Sequence, residues 1–406
     1  MSSATRSPAD AVSPSVRAPL RASIAEILFR RAVRGAGLTV IGQQGTAIVR
    51  GPAGAPTMTI VRPDFFHRLG RDGKIGFGEA YIAGDWQADD LAAVLTALAA
   101  RLDRLVPPAL ARFRRLYEPQ LGRRDRNTPA GAARNIARHY DLSNDLFAIF
   151  LDDTMAYSCA LFAPGDSLES AQRRKYERIC RLAELTADDH VLEIGTGWGG
   201  LAEHMASTRG CRVTTSTLSA AQADWAAERI RRAGLDDRVE VVLADYRDLG
   251  GSHTKIVSVE MFEAVGEEYW PAFFAACDRR LAPGGRMVLQ TITMPHARYL
   301  ATRTAYGWIH KYIFPGGLIP SVEAIARACG QASQLRIQRR IAIGSHYART
   351  LELWRQRFLA GADRVRELGF DERFLRMWEF YLAYCQAGFA TGALDDEQMV
   401  LTREAA

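Results

Sequence analysis

The segment VLEIGTGWGG, residues 191–200, joins a run of apolar residues to a turn that contains four glycines. The apolar run predicts a buried strand, and the LAEHMAST run after the turn has the apolar spacing of a helix. Glycines in such a turn can adopt positive φ angles and let the backbone approach a ligand closely. Because ligands of open α/β sheets bind at the carboxyl ends of strands, this turn is a candidate binding site.

Strands and helices continue to alternate along the chain after this segment. Further strands are predicted by the runs CRVTTSTL, VEVVLADY, KIVSVEMF and GRMVLQTI, and helices by AAQADWAAERIRRAG and EEYWPAFFAACDRRL. Repeated strand–helix–strand units favour an α/β fold with a doubly wound, mostly parallel, Rossmann-like sheet. We assign this sheet to a domain at residues 126–406.

The residues before this domain have a different pattern. Short β-like runs at 37–42, 46–51 and 57–63 are followed by the glycine-rich stretch RDGKIGFGEAYIAGDW, which we interpret as turns, and by a helical pattern at 90–102. These features predict a small α+β domain, which together with a basic linker occupies residues 21–125. Residues 1–20 are rich in Ser, Pro and Ala and predict a disordered tail.

The linker at 101–126 is strongly basic and is interrupted by Pro107 and Pro108. Two interpretations are open, a solvated connecting face or a surface that contacts acidic lipid headgroups, where each basic residue contributes ~1 kcal/mol. Its arginines are Arg101, Arg104, Arg112, Arg114, Arg115, Arg123, Arg124 and Arg126.

Composition limits the class of protein. The 406 residues include 52 Lys and Arg against 46 Asp and Glu, and this modest excess does not by itself indicate nucleic-acid binding. No apolar run approaches the ~20 residues that span a bilayer. The six cysteines form no CxxC pair, so neither a metal site nor a disulfide framework is predicted. We expect a cytoplasmic protein.

The glycine-rich turn leaves three interpretations open: a site for S-adenosylmethionine (SAM), a dinucleotide site, or a tight structural turn. The GxGxGG spacing lacks the usual third glycine of dinucleotide enzymes. Glu193, immediately before the turn, is more typical of SAM sites. Asp245 and Tyr246 follow another strand, where a carboxylate can accept a hydrogen bond from adenine and a ring can pack on the base.

Several longer blocks together resemble the cyclopropane fatty acid synthase and mycolic acid cyclopropane synthase family of SAM-dependent methyltransferases. They occur in the family's order and cover most of 130–392. The N-terminal GFGEAYIAGDW resembles the lipid-binding domain of the longer members. The matching blocks are HYDLSNDLF, TMAYSCALF, VLEIGTGWGGLA, TLSAAQ, MFEAVG, WIHKYIFPGGLIPS and HYARTLELWRQRF.

The resemblance implies methyl transfer from SAM to the cis double bond of an acyl chain in a membrane phospholipid. Thr217 and Gln222 stand where many SAM sites have an acidic residue for the ribose. The SAM contacts carried over by motif are Tyr157, Ser158, Gly195, Gly197, Thr217, Leu218, Gln222, Asp245 and Tyr246.

In cyclopropane-forming relatives a bound bicarbonate removes the proton, and the resemblance places its pocket at Cys159, Glu263, Ile292 and Tyr347. A fifth position, histidine in those relatives, is Gln290 in this chain. Glutamine can donate and accept hydrogen bonds but carries no charge, so a second cofactor, bicarbonate, is left open.

Glu260 stands where well-studied cyclopropane formers tend to have a small residue, three positions before Glu263. If the segment turns helical, both carboxylates share one face. Two close carboxylates raise one pKa, which favours a proton acceptor near neutral pH. The alternative is that Glu260 contacts the cofactor or a backbone amide.

The product depends on the fate of the first carbocation. Loss of a proton from the new methyl group closes a cyclopropane ring, whereas a hydride shift followed by proton loss from a neighbouring carbon gives a methylene branch. The stretch LQTITMPHARYLATRTAYGWIHKYIFPGGLIPS resembles the methylene-forming branch, which makes precursors of 10-methyl fatty acids and implies a separate reductase. Aromatic side chains such as Tyr157, Phe262 and Trp270 could stabilise the cation or simply pack in the core.

Three further expectations follow. The enzyme reaches its substrate as a peripheral protein at the inner membrane surface. Large two-domain relatives commonly self-associate, so we expect a homodimer. A non-catalytic lipid-binding protein is the more remote alternative, against which the intact SAM blocks argue.

Overall fold

A computed structural model describes residues 18–101 and 143–403. The chain divides into two compact units, Met1–Arg112 and Phe113–Ala406. The predicted domain boundary at 125/126, nearly all of the basic linker and most of the predicted tail lie outside the described residues. The tail prediction extends too far, because a helix already begins at Ala18.

The N-terminal unit is a small α+β domain, as predicted. Its four-stranded sheet has the order β2-β1-β3-β4, in which only β1 and β3 are parallel. The strands are β1 (Thr39–Ile41), β2 (Ala47–Val49), β3 (Thr57–Ile60) and β4 (Trp86–Ala88). The helices are α1 (Ala18–Val33), α2 (Asp64–Asp72), α3 (Lys74–Ala83) and α4 (Leu91–Ala99).

The glycine-rich stretch before β4 is helical, so its prediction as turns is wrong. It contains the end of α2 and all of α3. A Cβ at Gly76 would lie 2.0 Å from the carbonyl oxygen of Arg68, and one at Gly70 would lie 2.6 Å from that of Arg21. These glycines permit close packing of helices, which sequence punctuation alone does not distinguish from turn formation.

Asp85 ties α2 to the end of α3 in this unit. Its fully buried carboxylate accepts hydrogen bonds from Arg62 Nε at 2.9 Å and from Arg68 Nε at 2.8 Å. The backbone carbonyl of Asp85 also accepts the N–H groups of Val61 and Arg62. A buried carboxylate with two guanidinium partners is costly to leave unpaired.

The second unit is built on a seven-stranded sheet with the order β10-β11-β9-β8-β5-β6-β7. Strands β5 to β9 are parallel, and β10 and β11 add to one edge as antiparallel strands. The doubly wound, mostly parallel sheet is therefore confirmed. The strands are β5 (His190–Ile194), β6 (Arg212–Thr217), β7 (Val239–Leu243), β8 (His253–Val259), β9 (Leu281–Thr293), β10 (Leu335–Ala342) and β11 (Asp395–Arg403).

Helices cover both faces of this sheet. One hydrophobic layer contains Leu192, Ile256 and Met287, and the other contains Val191, Val257 and Val288, because neighbouring strand residues point to opposite faces. The helices are α5 (Asn144–Phe150), α6 (Leu168–Ala183), α7 (Gly200–Arg209), α8 (Ala220–Arg232), α9 (Trp270–Arg280), α10 (His296–Thr302), α11 (Trp308–Tyr312), α12 (Val322–Ala332), α13 (Gly344–Ala360), α14 (Ala362–Glu367) and α15 (Glu372–Ala390).

Side-chain caps start several of these helices. In each case an oxygen accepts the backbone N–H three residues later, which satisfies a donor that the helix itself cannot pair. The capping residues are Ser143, Ser167, Ser219, Ser321 and Asp371. None of the helices within 18–101 and 143–403 combines the length and apolar character required to cross a bilayer.

Replacement of Asp85 by Ala should destabilise the N-terminal unit by about 3 kcal/mol, because two guanidinium groups lose their buried partner. Hydrogen exchange of the amides in 57–88 would measure this locally. Asp72→Ala is the control, since Asp72 pairs at 2.7 Å with the adjacent and exposed Arg71. Equal protection in both variants would contradict the structural role of Asp85.

Candidate active site

The glycine-rich turn after β5 has the geometry expected of a ligand cradle. Gly195, Gly197 and Gly199 have φ angles of 102°, 52° and 82°, which only glycine adopts readily. The N–H groups of Gly195 and Thr196 both donate to the carbonyl of Ser216 at 3.0 Å, which holds the turn against β6. A Cβ at Gly197 would have no neighbour within 4 Å, so its backbone faces open space.

One cavity at the carboxyl ends of the parallel strands collects all of the predicted SAM contacts. The turn forms one wall, and the ends of β6, β7 and β8 and the loop before α6 form the others. The predicted residues that line it are Tyr157, Ser158, Gly195, Gly197, Thr217, Leu218, Gln222, Asp245 and Tyr246.

The donors and acceptors of this cavity fit SAM. The Thr217 hydroxyl donates to Gln222 Oε1 at 2.9 Å, which fixes the amide at the position of the missing ribose carboxylate. Asp245 is held by the guanidinium of Arg247, a residue that sequence reasoning did not include. Burial raises the pKa of Asp245, but the hydrogen bonds from Arg247 outweigh it and lower that pKa below its usual range.

Glu193, in β5 two residues before Gly195, is a second carboxylate that lines the cavity. It is only 2% exposed and accepts a hydrogen bond from the Thr215 hydroxyl at 2.5 Å. Burial raises the pKa of Glu193 to about 8, against the effect of that hydrogen bond. Glu193 is therefore largely protonated at neutral pH in the ligand-free protein.

Glu260, at the end of β8, also lines this cavity and accepts hydrogen bonds from three elements. Its Oε1 accepts the Cys159 N–H at 2.8 Å and the Gln290 side-chain amide at 2.9 Å, and its Oε2 accepts the Tyr347 hydroxyl at 2.5 Å. The contact with a backbone amide that the sequence analysis considered is thus present, and a contact with the cofactor stays a prediction.

The backbone of Glu260 is unusual, because its φ angle is +48° in a residue that has a Cβ. The segment does not continue β8 into a helix, and a short 3₁₀ turn forms only at Phe262–Ala264. Left-handed backbone at a non-glycine residue costs of order 1 kcal/mol and persists where surrounding contacts hold it. The three donors to the carboxylate supply those contacts.

Glu263 lies in that 3₁₀ turn, near Glu260. We call the buried side chains around these two carboxylates the active centre. One carboxylate oxygen accepts the backbone N–H of Ile292, and the other is shielded from solvent and has no hydrogen-bond partner among the described residues. Burial, followed by the charge of Glu260, raises the pKa of Glu263 to about 8. The effect expected of two close carboxylates is present, and Glu263 is the neutral member at pH 7.

Asp396, a third carboxylate, was missed by the sequence analysis. It lies in β11 opposite Ile292 of β9, is fully buried, and its Oδ2 accepts the Gln290 amide at 2.8 Å. Burial and the charge of Glu260 raise the pKa of Asp396 well above its usual value. The sequence does show an acidic run, DDE, at the start of an apolar strand. Because this run is distant from Gln290 along the chain, the sequence did not indicate that Asp396 and Gln290 meet.

The side-chain amide of Gln290 connects two carboxylates of the active centre through hydrogen bonds. Its Nε2 has two hydrogens, and they point at Glu260 and Asp396, while its Oε1 accepts from Gln398 at 3.0 Å. The single Nε2 atom of Gln290 thus bridges the two carboxylates, with one hydrogen directed at each. The glutamine and the added glutamate are therefore parts of one arrangement.

Helix α6 supplies residues that no motif singled out. Gln172 Nε2 donates to the carbonyl of Ser158 at 2.9 Å, and Lys175 Nζ donates to the hydroxyl of Ser158 at 2.5 Å. Both side chains are fully buried, and Tyr176 beside them lines the cavity. Their spacing of three and four residues places them on one face of the helix.

Cys159 contacts the centre through its backbone. Its thiol is fully buried and bonds to the carbonyls of Ala160 and Ile343. Burial raises the pKa of the Cys159 thiol well above its usual value. A protonated thiol is a poor nucleophile, so a pocket-lining role stays our prediction for this residue.

The aromatic side chains divide into two groups. Tyr157 lines the cavity, bonds to the Tyr381 hydroxyl at 2.7 Å and packs against Trp354. Phe262 and Trp270 lie in the hydrophobic layer of the sheet, as ordinary core residues. His139, the first residue of the HYDLSNDLF block, lies outside the described residues.

Comparisons with known proteins agree with this geometry. The family model described as mycolic acid cyclopropane synthetase matches residues 127–399. Tuberculostearic acid methyltransferase UfaA1 of Mycobacterium tuberculosis is 48% identical over 409 residues, which cover 97% of this chain and 95% of that protein. Cyclopropane-fatty-acyl-phospholipid synthase of Escherichia coli is 38% identical over 345 residues, covering 85% and 87%.

Solved structures lead to the same family. The cyclopropane synthase MmaA2 of Mycobacterium tuberculosis has a TM-score of 0.62 and 29% identity, covering 66% of this chain and 97% of that one. Mycolic acid cyclopropane synthase CmaA1, complexed with SAH and CTAB, has a TM-score of 0.62 and 30% identity, with the same coverage. This chain, whose sheet and glycine turn have the fold of SAM-dependent methyltransferases, belongs to the mycolic acid cyclopropane synthetase family.

Proposed function

We propose that this protein transfers the methyl group of SAM to the cis double bond of an unsaturated acyl chain in a membrane phospholipid and gives a 10-methylene product. The identity to a tuberculostearic acid methyltransferase and to a fatty-acyl-phospholipid synthase supports the substrate class. The observation that carries the proposal is a carboxylate, Glu260, at the wall of the cofactor cavity.

The bound cofactor supplies an electrophilic methyl group. The chain's own task is to hold an alkene, a weak nucleophile, close and in line within a site that excludes water. Methylation leaves a cation on the adjacent chain carbon. The faces of Tyr157 and Tyr347, close to Glu260 and Trp354, provide electron-rich surroundings for this cation.

The product then requires a hydride shift and the loss of one proton. The hydride moves to the first cationic carbon, and the methyl-bearing carbon becomes the cation. Loss of a proton from the new methyl group leaves its electron pair as the methylene double bond. We assign that proton to Glu260, since Glu263 and Asp396 already hold theirs near neutral pH.

The ionisation of Glu260 follows from its contacts. Burial raises its pKa, but hydrogen bonds from Tyr347 and Cys159 and the charge of Lys175 oppose that rise. Asp396 has fewer donors than Glu260, since its Oδ2 accepts the Gln290 amide and its Oδ1 has no hydrogen-bond partner among the described residues. The proton of this pair therefore resides on Asp396, and Glu260 is the base.

This arrangement makes bicarbonate unnecessary. The groups predicted to hold the ion, which are the Cys159 N–H, the Tyr347 hydroxyl and the Gln290 amide, all donate to Glu260. The two remaining predicted residues contact each other, since the Ile292 N–H donates to Glu263. We propose that the Glu260 carboxylate takes the place of the bound ion.

Ring closure of the same cation is the second candidate. The similarity to a cyclopropane-fatty-acyl-phospholipid synthase and the matching family model favour it. In that case no hydride shift occurs: the new methyl group loses a proton while the cation is still on the adjacent carbon, and the C–H electron pair forms the bond that closes the ring. A methylene product further implies a separate reductase to complete a 10-methyl chain, and a homodimer remains our prediction for the assembly.

Product analysis separates the two candidates. Expressed in bacteria whose lipids are rich in oleoyl chains and fed methyl-labelled methionine, the protein should yield phospholipid chains with a labelled methylene branch, seen by mass spectrometry after double-bond derivatisation. A ring as the sole labelled product would replace the methylene assignment. Absence of label from all lipids would favour the non-catalytic alternative.

Glu260→Gly tests the base directly. Activity should fall by roughly 100-fold or more, as expected on removal of a general base, and added bicarbonate should restore part of it. Bicarbonate should restore activity because the variant leaves three hydrogen-bond donors without an acceptor around an empty space. These donors are the Cys159 N–H, the Gln290 amide and the Tyr347 hydroxyl. The measurement is the rate of methyl transfer with and without bicarbonate, with SAM affinity determined by calorimetry.

Glu260→Gln is the matched control. It fills the same space without a basic carboxylate, so it should be inactive and insensitive to bicarbonate. Full activity of either variant without the ion would remove Glu260 from the proton transfer.

A further inference from the structure

Helix α1 of the N-terminal unit is apolar on two opposite faces. Its buried face, formed by Ala22, Ala25, Phe29 and Val33, packs within the unit. Its outer face exposes four large apolar side chains, including Leu20 at 65% and Ile27 at 67%. The spacing of the outer set places it on one stripe of the helix. We define the α1 face as Leu20, Ile24, Ile27 and Leu28.

The α1 face is the main concentration of exposed apolar side chains in the part of the chain that the structure describes. It contributes four of the nine large apolar residues that are most exposed there, and the other five are spread over separate elements. Single exposed leucines are ordinary, whereas a continuous stripe marks an interaction site.

Positive charge accompanies this stripe. Arg21, Arg31 and Arg34 are exposed on the same helix or immediately after it. The acidic residue of the helix, Glu26, is engaged by Arg30 through a bidentate pair at 2.7 and 2.9 Å. An apolar stripe flanked by arginines is the composition of a helix that lies in the interface of an anionic bilayer.

A second copy of the chain is a poorer occupant. In a symmetric contact the arginines beside the α1 face would recur on the partner. Arginines would then face arginines without an acidic group between them. Lipid phosphates provide the missing counter-charge. We propose that the α1 face docks the enzyme on the surface of an anionic phospholipid bilayer; this rests on the proposed phospholipid substrate.

Cosedimentation of the full chain with vesicles tests the α1 face. The double variant Ile24→Gln, Ile27→Gln should bind phosphatidylglycerol-containing vesicles about tenfold more weakly or worse, because two apolar side chains no longer enter the interface. Leu359→Gln, an exposed leucine of the other unit, is the control and should bind normally. The variant Ile27→Trp should show fluorescence quenching by brominated acyl chains.

Two outcomes would overturn this assignment. Unchanged vesicle binding by the double variant, with no quenching of the tryptophan in Ile27→Trp, would show that another surface docks. A change from dimer to monomer in sedimentation, with vesicle binding intact, would make the α1 face a subunit interface. Methyl transfer to detergent-dispersed phospholipid, measured in parallel, reports separately on the proposed reaction.

A separate observation concerns Lys175. Its ammonium group is fully buried and donates to the Ser158 hydroxyl at 2.5 Å, and no carboxylate of the described residues lies within ion-pair distance of it. The aromatic ring of Tyr176 lies 4.8 Å away. A buried cation without a direct counter-ion is costly unless negative charge stands nearby.

The nearby negative charge is Glu260. Ser158, whose hydroxyl accepts from Lys175, directly precedes Cys159, whose backbone N–H donates to Glu260 Oε1 at 2.8 Å. Burial lowers the pKa of Lys175, and the attraction of Glu260 is the largest effect that opposes it. The other titratable groups around it are Cys159, Asp152 and Asp396. Burial raises the pKa values of Cys159 and Asp396, so we assign the balancing negative charge to Glu260.

We propose that Lys175 is a positioning residue that keeps the Glu260 carboxylate ionised and therefore basic. Its ammonium group donates to the Ser158 hydroxyl and acts on Glu260 through its charge, not through a direct hydrogen bond. This proposal rests on Glu260 as the proton acceptor. It also accounts for a lysine at a buried position of α6, where packing alone would favour an apolar residue.

The pH dependence of kcat/KM tests this role. Loss of the positive charge in Lys175→Met should make Glu260 harder to ionise, so the acid limb should move to higher pH by about one unit. Lys175→Arg keeps the charge and should restore the native limb. Asp152→Asn changes the other carboxyl group near Lys175 and should not move the acid limb to higher pH.

A purely structural lysine would behave differently. Lys175→Met would then lower activity equally at every pH, and an unmoved acid limb would overturn the proposal. If Glu260→Gln were fully active while the limb still moved, the assignment of the base would fail instead. SAM affinity by calorimetry confirms that each variant is folded.

Discussion

The buried carboxylate of Glu260 is the constraint around which the active centre is arranged. It draws donors from the loop before α6, from β9 and from α13, and these elements are distant in sequence. It also holds a left-handed backbone at the end of β8. Removing the carboxylate would release three donors and the strain together, so the identity of this one residue sets the chemistry of the pocket.

Charge balance decides which group can act as base. Three carboxylates and one lysine share a volume with little access to water, and full ionisation of all four groups would be unfavourable. In the proposed mechanism the negative charge is on Glu260, which accepts three hydrogen bonds, while burial raises the pKa values of Asp396 and Glu263. The same folding that buries these groups therefore differentiates them, although they are chemically alike.

Sequence reasoning predicted the sheet and the glycine turn, and the residues that it assigned to the cofactor line one cavity. That success has a local cause, since the turn and the strand ends carry their own signals. It misread α3, where Gly76 serves close packing and not a turn. It missed Asp396 and Lys175, because each reaches the centre from a strand or helix whose contacts are set only by the tertiary fold.

The amino-acid sequence by itself determined the fold class and the glycine turn, because strand–helix alternation and glycine spacing act over a few residues. It also showed that glutamate and glutamine replace the usual residues at positions 260 and 290. Only the tertiary structure showed that these two changes belong together. The amide of Gln290 bridges Glu260 and Asp396, a contact made possible by the antiparallel pairing of β11 with β9, which places residue 396 opposite residue 292.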